Sequence, residues 1–228
     1  MGSRMAARLL AAQHDVVVYD RLPEATRPLE QHGARVAVGS RELAAGADIV
    51  FSSVTDDAAL EQVMFAPAGA LAGARPGTMV VDMSTVSPRM SRRLYEVARS
   101  AGVSVLNAPV SGSTPQAERG QLVIFVGGEE EVYQKCQPLL AQLGSKILYL
   151  GPSGSGTMMK LCVNTLLGLG VQALAEAIAL GEKGGLPRER LLEVLGETAD
   201  RLDVHVGRAR DLTDGERHSS DLLETVTR

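Results

Sequence analysis

Short runs of aliphatic and β-branched residues recur through the first two-thirds of the chain. They are Val16–Tyr19, Arg35–Val38, Asp48–Phe51, Thr78–Val81, Val103–Leu106, Leu122–Val126 and Ile147–Leu150. Each has the length and composition of a strand. Most are separated by stretches whose apolar positions return every three or four residues, such as Pro88–Ser100 and Glu129–Leu143, and another, Ser3–Ala12, precedes the first. That period predicts helices. Strands alternating with helices predict an α/β fold with a doubly wound, mainly parallel sheet. The early runs are apolar at successive positions, so both faces of the sheet are expected to be covered.

The pattern changes after Gly151. From about Gly156 to Lys183 the chain is rich in Ala, Leu and Gly, with no turn signal before Gly184-Gly185. This predicts one long helix, and Leu186-Pro187 opens another, with Pro187 in a first turn where its missing N–H costs nothing. The expected division is a sheet domain over 1–152 and the start of a helical domain over 153–228. From Asp200 to Arg228 the sequence is rich in Asp, Glu and Arg with few large apolar residues, and a solvated, partly disordered tail is expected.

Composition narrows the functions. The 228 residues are 45% hydrophobic and 22% charged, with a net charge of −4. Basic residues are scattered, which argues against a nucleic-acid or anionic-membrane partner. No window is expected to offer the long uncharged run of a membrane span, and the first residues, MGSRMAARLL, lack a secretory apolar core. Cys136 and Cys162 suggest neither a disulfide framework nor a metal site, so a cytoplasmic protein is expected. Aromatics are 3% and Trp is absent, which disfavours base stacking.

The amino-terminal elements read as the second half of a βαβ unit. Gly2 runs into the first helix, and the strand after it ends in Asp20. In a dinucleotide fold a strand and a Gly-x-Gly-x-x-Gly turn precede that helix, and an acidic residue ends the next strand to bind ribose hydroxyls. Gly2 stands where the last glycine belongs and Asp20 where the acid belongs, although a surface Asp at a strand end accounts equally for Asp20 alone. Arg21 offers a guanidinium to a 2′-phosphate, which Asp20 repels. NAD is preferred and NADP stays open.

Three segments carry more. They are Asp82-Met83-Ser84-Thr85-Val86-Ser87-Pro88, Asn107-Ala108-Pro109-Val110-Ser111-Gly112-Ser113, and Gly154-Ser155-Gly156-Thr157-Met158-Met159-Lys160-Leu161-Cys162-Val163-Asn164. Gly120-Gln121-Leu122 and Val126-Gly127-Gly128 follow the second. In this order and spacing they resemble the β-hydroxyacid dehydrogenase family, 3-hydroxyisobutyrate dehydrogenase-like and 6-phosphogluconate dehydrogenase-like, over about residues 1–198. Ala175–Lys183 and Ser113 look most like its glyoxylate/succinic semialdehyde reductase branch.

The resemblance implies a Rossmann-type sheet lacking its first strand, then a long interdomain helix and part of an all-α domain. It implies NAD(P)-dependent hydride transfer between a small β-hydroxyacid and its semialdehyde or keto acid. Lys160 would be the general acid/base, with Asn164 beside it. Ser111 and Gly112, with Ser113 next to them, would bind the substrate carboxylate. Val54 and Thr55 would line the cofactor cleft, and Ser84-Thr85 would approach the nicotinamide. Asn107 stands where the family usually has Asp. Family members continue with further helices that close the pocket and often build a homo-oligomer, so the chain is expected to be truncated at both ends and weakly active or inactive as it stands.

The chemistry is coherent without the family. Lys160 and Asn164 lie four residues apart, on one face of a helix. A solvent-facing stripe is the bland alternative; the neighbouring glycines and the Ser111-Gly112 loop favour function. An ammonium near a carbonyl oxygen stabilises developing negative charge and delivers a proton, and partial burial should lower its pKa. A Ser-Gly pair brings a hydroxyl and close backbone N–H groups to a carboxylate, though alone it reads as an ordinary turn. Ser87 and Pro88 are expected to start a helix as N-cap and first residue. Cys162, roughly opposite Lys160, is expected in the core, and Met158 and Met159 as packing or cleft lining. The four histidines read as surface residues; Asp56-Asp57 and Glu129-Glu130-Glu131 read as helix N-terminal charges. Two other readings remain: a non-catalytic binding or oligomerisation remnant, and an imine reductase on the same scaffold, which Lys160 opposes.

Overall fold

The computed structural model describes residues 1–198; the expected polar tail lies outside them. In chain order the first half comprises α1 (Gly2–Ala11), β1 (Val17–Val18), α2 (Pro23–Gln31), β2 (Arg35–Val36), α3 (Ser40–Ala45), β3 (Ile49–Ser52), α4 (Asp57–Phe65), α5 (Ala70–Gly73) and β4 (Met79–Asp82). There follow α6 (Pro88–Ser100), β5 (Ser104–Asn107), β6 (Val110–Ser111), α7 (Thr114–Arg119), β7 (Leu122–Val126), α8 (Glu130–Leu143), β8 (Gly144–Tyr149), α9 (Ser155–Lys183) and α10 (Arg188–Thr198).

The strands form three groups. β1 pairs with β2 in parallel, and β3, β4 and β5 pair in parallel, with Ile49 opposite Met79 and Met79 opposite Ser104. β7 pairs in parallel with β8 and antiparallel with β6. An antiparallel bridge between Asn107 and Gly127 links the second group to the third. The pattern of apolar runs missed β6, which has only two residues and no periodicity to read.

Successive strand residues point to opposite faces, and both faces are buried. On one side Val81, Leu106 and Ile124 meet Met5 and Leu9 of α1 and Cys136 and Leu140 of α8. On the other, Val80 and Val105 meet Leu60 and Met64 of α4 and Leu94 of α6. Each fully buried leucine contributes about 1.5–3 kcal/mol by leaving water. α6 starts as its sequence predicts: the Ser87 hydroxyl accepts the Met90 N–H at 3.1 Å, and Pro88 is the first helical residue.

Between β1 and β3 there is no pairing. A cavity of about 500 Å³ lies there, walled by Met5 and Leu9 of α1, Val17, Phe51, and Leu139 and Leu143 of α8.

The chain divides into two compact units, Met1–Thr165 and the residues from Leu166 onward. Among the described residues the first holds all the strands and the opening turns of α9. In the second, described to Thr198, α9 continues and α10 follows. There Gly181 allows close approach of Leu191, since a Cβ would lie 2.5 Å from its Cδ2. Arg188 pairs with Glu182 at 2.7 Å.

Two expectations for α9 are corrected. Cys162 is exposed, because only Gly156 and Thr157 of this helix are buried. And α9 is long and apolar enough to cross a membrane by length and composition; Leu161–Leu180 holds a single charged residue, Glu176. Met158 and Met159 are also exposed.

Candidate active site

The carboxyl ends of β3, β4 and β5 turn into loops at one edge of the sheet, where doubly wound folds bind ligands. A buried hydrogen-bond network fixes two of these loops. The Ser52 hydroxyl donates to Asp82 Oδ1 at 2.7 Å, and the Ser84 N–H donates to the same oxygen at 3.2 Å. The Ser84 hydroxyl then accepts the Val54 N–H at 3.0 Å. Burial raises the Asp82 pKa, and the bonds from Ser84 and Ser52 work against that rise. Ser84 is buried and holds the loop of Val54 and Thr55; its neighbour Thr85 is exposed. The Thr55 hydroxyl donates to Asp56 at 3.0 Å.

Asp56 caps α4, accepting the Ala59 N–H at 2.8 Å. That bond, with the Thr55 hydroxyl and the Arg21 charge assisting, holds its carboxyl below the usual range. Asp20 lies exposed just after β1, and one of its oxygens accepts the Leu22 N–H at 2.9 Å. The turn into α2 thus uses part of its bonding capacity. Gly2 opens α1 next to Ser53, whose Cβ would be 3.4 Å from an added Gly2 Cβ. The Met1 carbonyl accepts the Arg4 and Met5 N–H groups, leaving those of Gly2 and Ser3 without intrahelical partners.

The end of β5 positions the start of α9. Asn107 is buried. Its Oδ1 accepts the Thr157 N–H at 3.2 Å and its Nδ2 donates to Ser153 Oγ at 3.3 Å. Thr157 also donates its hydroxyl to Ser91 Oγ of α6 at 3.2 Å. Gly156 makes the approach possible: a Cβ would stand 2.3 Å from the Phe125 carbonyl oxygen and 2.6 Å from that of Asn107.

Lys160 follows Thr157 by three residues and is half-buried, and burial lowers its pKa. Asn164, one turn on, is exposed. Four residues after Asn107, Ser111 sits half-buried in β6 opposite Val123. Gly112 has φ +133°, and an added Cβ would meet Leu122 Cδ2 at 2.9 Å. Ser113 caps α7: both its N–H and its hydroxyl donate to the Gln116 side-chain oxygen. Its hydroxyl is therefore engaged locally.

Sequence reasoning missed Ser52, Ser91 and Thr157, and gave Asp82 and Asn107 no role in placing the loops. The signal was a polar residue closing each of three apolar strand runs: Ser52, Asp82 and Asn107 end β3, β4 and β5.

The arrangement fits a dinucleotide. The free N–H groups at the start of α1 suit a pyrophosphate. Asp20 lies exposed just after β1, and loops follow the carboxyl ends of β3 and β4.

Comparisons with known proteins agree with this geometry. A family described as the NAD-binding domain of 6-phosphogluconate dehydrogenase matches residues 1–151, and the NAD-binding family of NADP-dependent 3-hydroxyisobutyrate dehydrogenase matches 154–212. A 2-(hydroxymethyl)glutarate dehydrogenase of Eubacterium barkeri is 38% identical over 201 residues, covering 88% of this chain and 67% of the relative. An NAD-dependent L-serine dehydrogenase of Pseudomonas aeruginosa is 37% identical over 195 residues, covering 86% and 65%. The solved 3-hydroxyisobutyrate dehydrogenase of Mycobacterium tuberculosis with L-serine superposes with a TM-score of 0.78 at 34% identity, over 86% of this chain and 66% of that one. The chain thus spans about two-thirds of the length of these relatives.

Proposed function

This chain belongs to the β-hydroxyacid dehydrogenase family, and on that premise we propose that it interconverts a small β-hydroxyacid and its semialdehyde or keto acid, with Lys160 as the general acid/base. The observation that carries the reading is the placement of Lys160. It is half-buried, with a lowered pKa, one turn beyond the point where Asn107 and Ser91 clamp α9.

A bound nicotinamide supplies or takes up the hydride. In the reducing direction Lys160 Nζ donates a hydrogen bond to the carbonyl oxygen, stabilises its growing charge and passes it a proton. In the oxidising direction the neutral amine takes the hydroxyl proton. Asn164 orients the amine or the substrate without adding charge. Ser111 and the backbone at Gly112 hold the substrate carboxylate, and Ser113 supports that loop by capping α7. Gly2 at the α1 start, Val54, Thr55 and Thr85 border the cofactor, with Ser84 holding Val54 in place.

NAD is the preferred cofactor. Asp20 at the end of β1 accepts ribose hydroxyls and repels a 2′-phosphate. The protein is assigned to the cytoplasm. Lys160 also separates this reading from imine reduction.

The test has two parts. Titration with NADH and NADPH, followed by nicotinamide fluorescence, should show saturable binding that is tighter for NADH. Oxidation of L-serine, 3-hydroxyisobutyrate and 2-(hydroxymethyl)glutarate should be detectable with the unaltered chain and fall at least a hundredfold in Lys160→Met, with cofactor binding kept. Turnover that survives in Lys160→Met, or absence of cofactor binding, would overturn the proposal.

A further inference from the structure

The loops after β3 and β4 keep the register of their strands. Ser52 stands opposite Asp82 in the sheet, and its hydroxyl donates to Asp82 Oδ1 at 2.7 Å. Further on, the Val54 N–H donates to the Ser84 hydroxyl at 3.0 Å. Beyond that, Asp57 takes both polar hydrogens of Ser87: its Oδ1 accepts the N–H at 2.7 Å and its Oδ2 accepts the hydroxyl at 2.5 Å. Each rung joins residues 30 positions apart. Side chains thus continue the pairing where the backbone ladder has stopped.

The last rung completes a helix cap. Ser87 opens α6 and its hydroxyl accepts the Met90 N–H at 3.1 Å. The N–H of Ser87 itself has no partner inside the helix. In a capping box the side chain three residues after the cap accepts that N–H. Here that residue is Met90, which offers only a weak thioether acceptor. Asp57, the first residue of α4, supplies the acceptor from another element. Negative charge is favoured there, at the starts of two helices.

Thr85 lies between the last two rungs. It is exposed, while Ser84 and Val86 on either side are buried. Ser84 is fixed from Val54 and Ser87 from Asp57, so the backbone of Thr85 is held at both ends. α4 and α6 have other ties besides Asp57. Arg93 pairs with Glu61 through both of its terminal nitrogens and lies over the Phe65 ring at 4.5 Å. What Asp57 adds is therefore local to residues 84–87.

We propose that Asp57 is a positioning residue: through Ser87 it holds the loop of Thr85 in the shape that receives the nicotinamide half of the cofactor. This rests on the cofactor site proposed above. There Asp20 takes the adenosine ribose and the start of α1 takes the pyrophosphate, which leaves the loops after β3 and β4 to the nicotinamide. Asp57 acts only through Ser87. It removes freedom from the loop before the cofactor arrives, so that binding does not have to.

The experiment compares the affinity of the full chain and its variants for NADH, by nicotinamide fluorescence, and for ADP-ribose, which lacks the nicotinamide, by calorimetry. Asp57→Ala should weaken NADH about fivefold or more and leave ADP-ribose within about twofold. Asp57→Asn should restore NADH to within about twofold of the unaltered chain, because its amide oxygen still accepts the Ser87 N–H and its amide nitrogen can donate to the Ser87 hydroxyl. Glu61→Ala, which cuts another tie between α4 and α6, should change neither ligand by more than about twofold. If Asp57→Ala does not fold, Ser87→Gly answers in its place. It removes the hydroxyl rung, glycine still serves as an N-cap, and it too should weaken NADH and spare ADP-ribose. Equal weakening of both ligands, or of neither, would mean a merely structural tie and overturn the proposal. So would a Glu61→Ala variant that matches Asp57→Ala, or an Asp57→Asn variant no better than it. Binding of neither ligand by the unaltered chain would overturn the cofactor site itself, and the proposal with it.

Discussion

Asn107 Oδ1 accepts the backbone N–H of Thr157 at 3.2 Å, so a residue at the end of β5 fixes the start of a helix fifty positions further on. The N–H it binds belongs to the first turn of α9, one of the groups with no partner inside its own helix. Lys160 leaves the same helix one turn later. The geometry of the proposed acid/base therefore depends on a residue that need not touch substrate.

Asn107→Ala should lower stability by about 1–3 kcal/mol, since it strands the Thr157 N–H in a buried place. Urea unfolding measures this. Asn107→Asp keeps an acceptor and puts negative charge at the α9 start, so it should lose less. A loss in Asn107→Ala no larger than that of an ordinary surface substitution would show that the contact does not anchor the helix.

The pH profiles of the two reaction directions should be opposite. Burial lowers the Lys160 pKa, so the ammonium disappears at a lower pH than for an ordinary lysine. Reduction needs the ammonium; its kcat/KM should be level at low pH and fall as pH rises through that lowered pKa. Oxidation needs the neutral amine and should rise through the same pKa. Lys160→Met should remove both limbs while changing stability by no more than about 0.5 kcal/mol. Limbs that persist in this variant would assign them to another group.

Asp82→Asn should be at least as stable as the unaltered chain at neutral pH. Burial raises the Asp82 pKa, so the folded protein holds that proton to a higher pH than the unfolded chain does. Stability then falls as pH rises from the unfolded pKa through the folded one and stays reduced above it. Asparagine Oδ1 can still accept from Ser52 and Ser84 without the buried charge. Any advantage should be full above the raised pKa and vanish below the ordinary carboxylate range. Urea midpoints of both proteins across pH check this; a variant less stable at neutral pH would show that the charge strengthens the network.

The two cysteines should react very differently. Burial pushes the Cys136 thiol up to about 11, and it packs 3.8 Å from the Met79 sulfur. Cys162 is exposed. A maleimide should label Cys162 rapidly in the native protein and Cys136 only on unfolding. Peptide mapping after a short pulse distinguishes them, and equal native labelling would mean that the α8 face opens readily.

Much of the fold was legible because it repeats. Val80 and Val81 point to opposite faces and both are fully buried, so a continuous apolar run was the correct sign of a covered parallel strand. The cap at Ser87-Pro88 was legible because it is local. Cys162 was misplaced because helical phase says which residues share a face, not which face is covered. The two-residue β6 left no period to detect.

The sequence by itself determined the α/β alternation, the helix starts, and the candidate chemistry of Lys160 and Ser111-Gly112. These follow from neighbours in the chain, where period and capping act. Only the tertiary structure decided that Asn107 and Ser91 hold α9 and that Ser84 reaches Val54. It also brought Val17, Ile49 and Phe51 to the walls of one cavity. Those relations join residues about 30–66 positions apart. They are set by which strand ends lie side by side once both faces of the sheet are buried, and no local pattern encodes that.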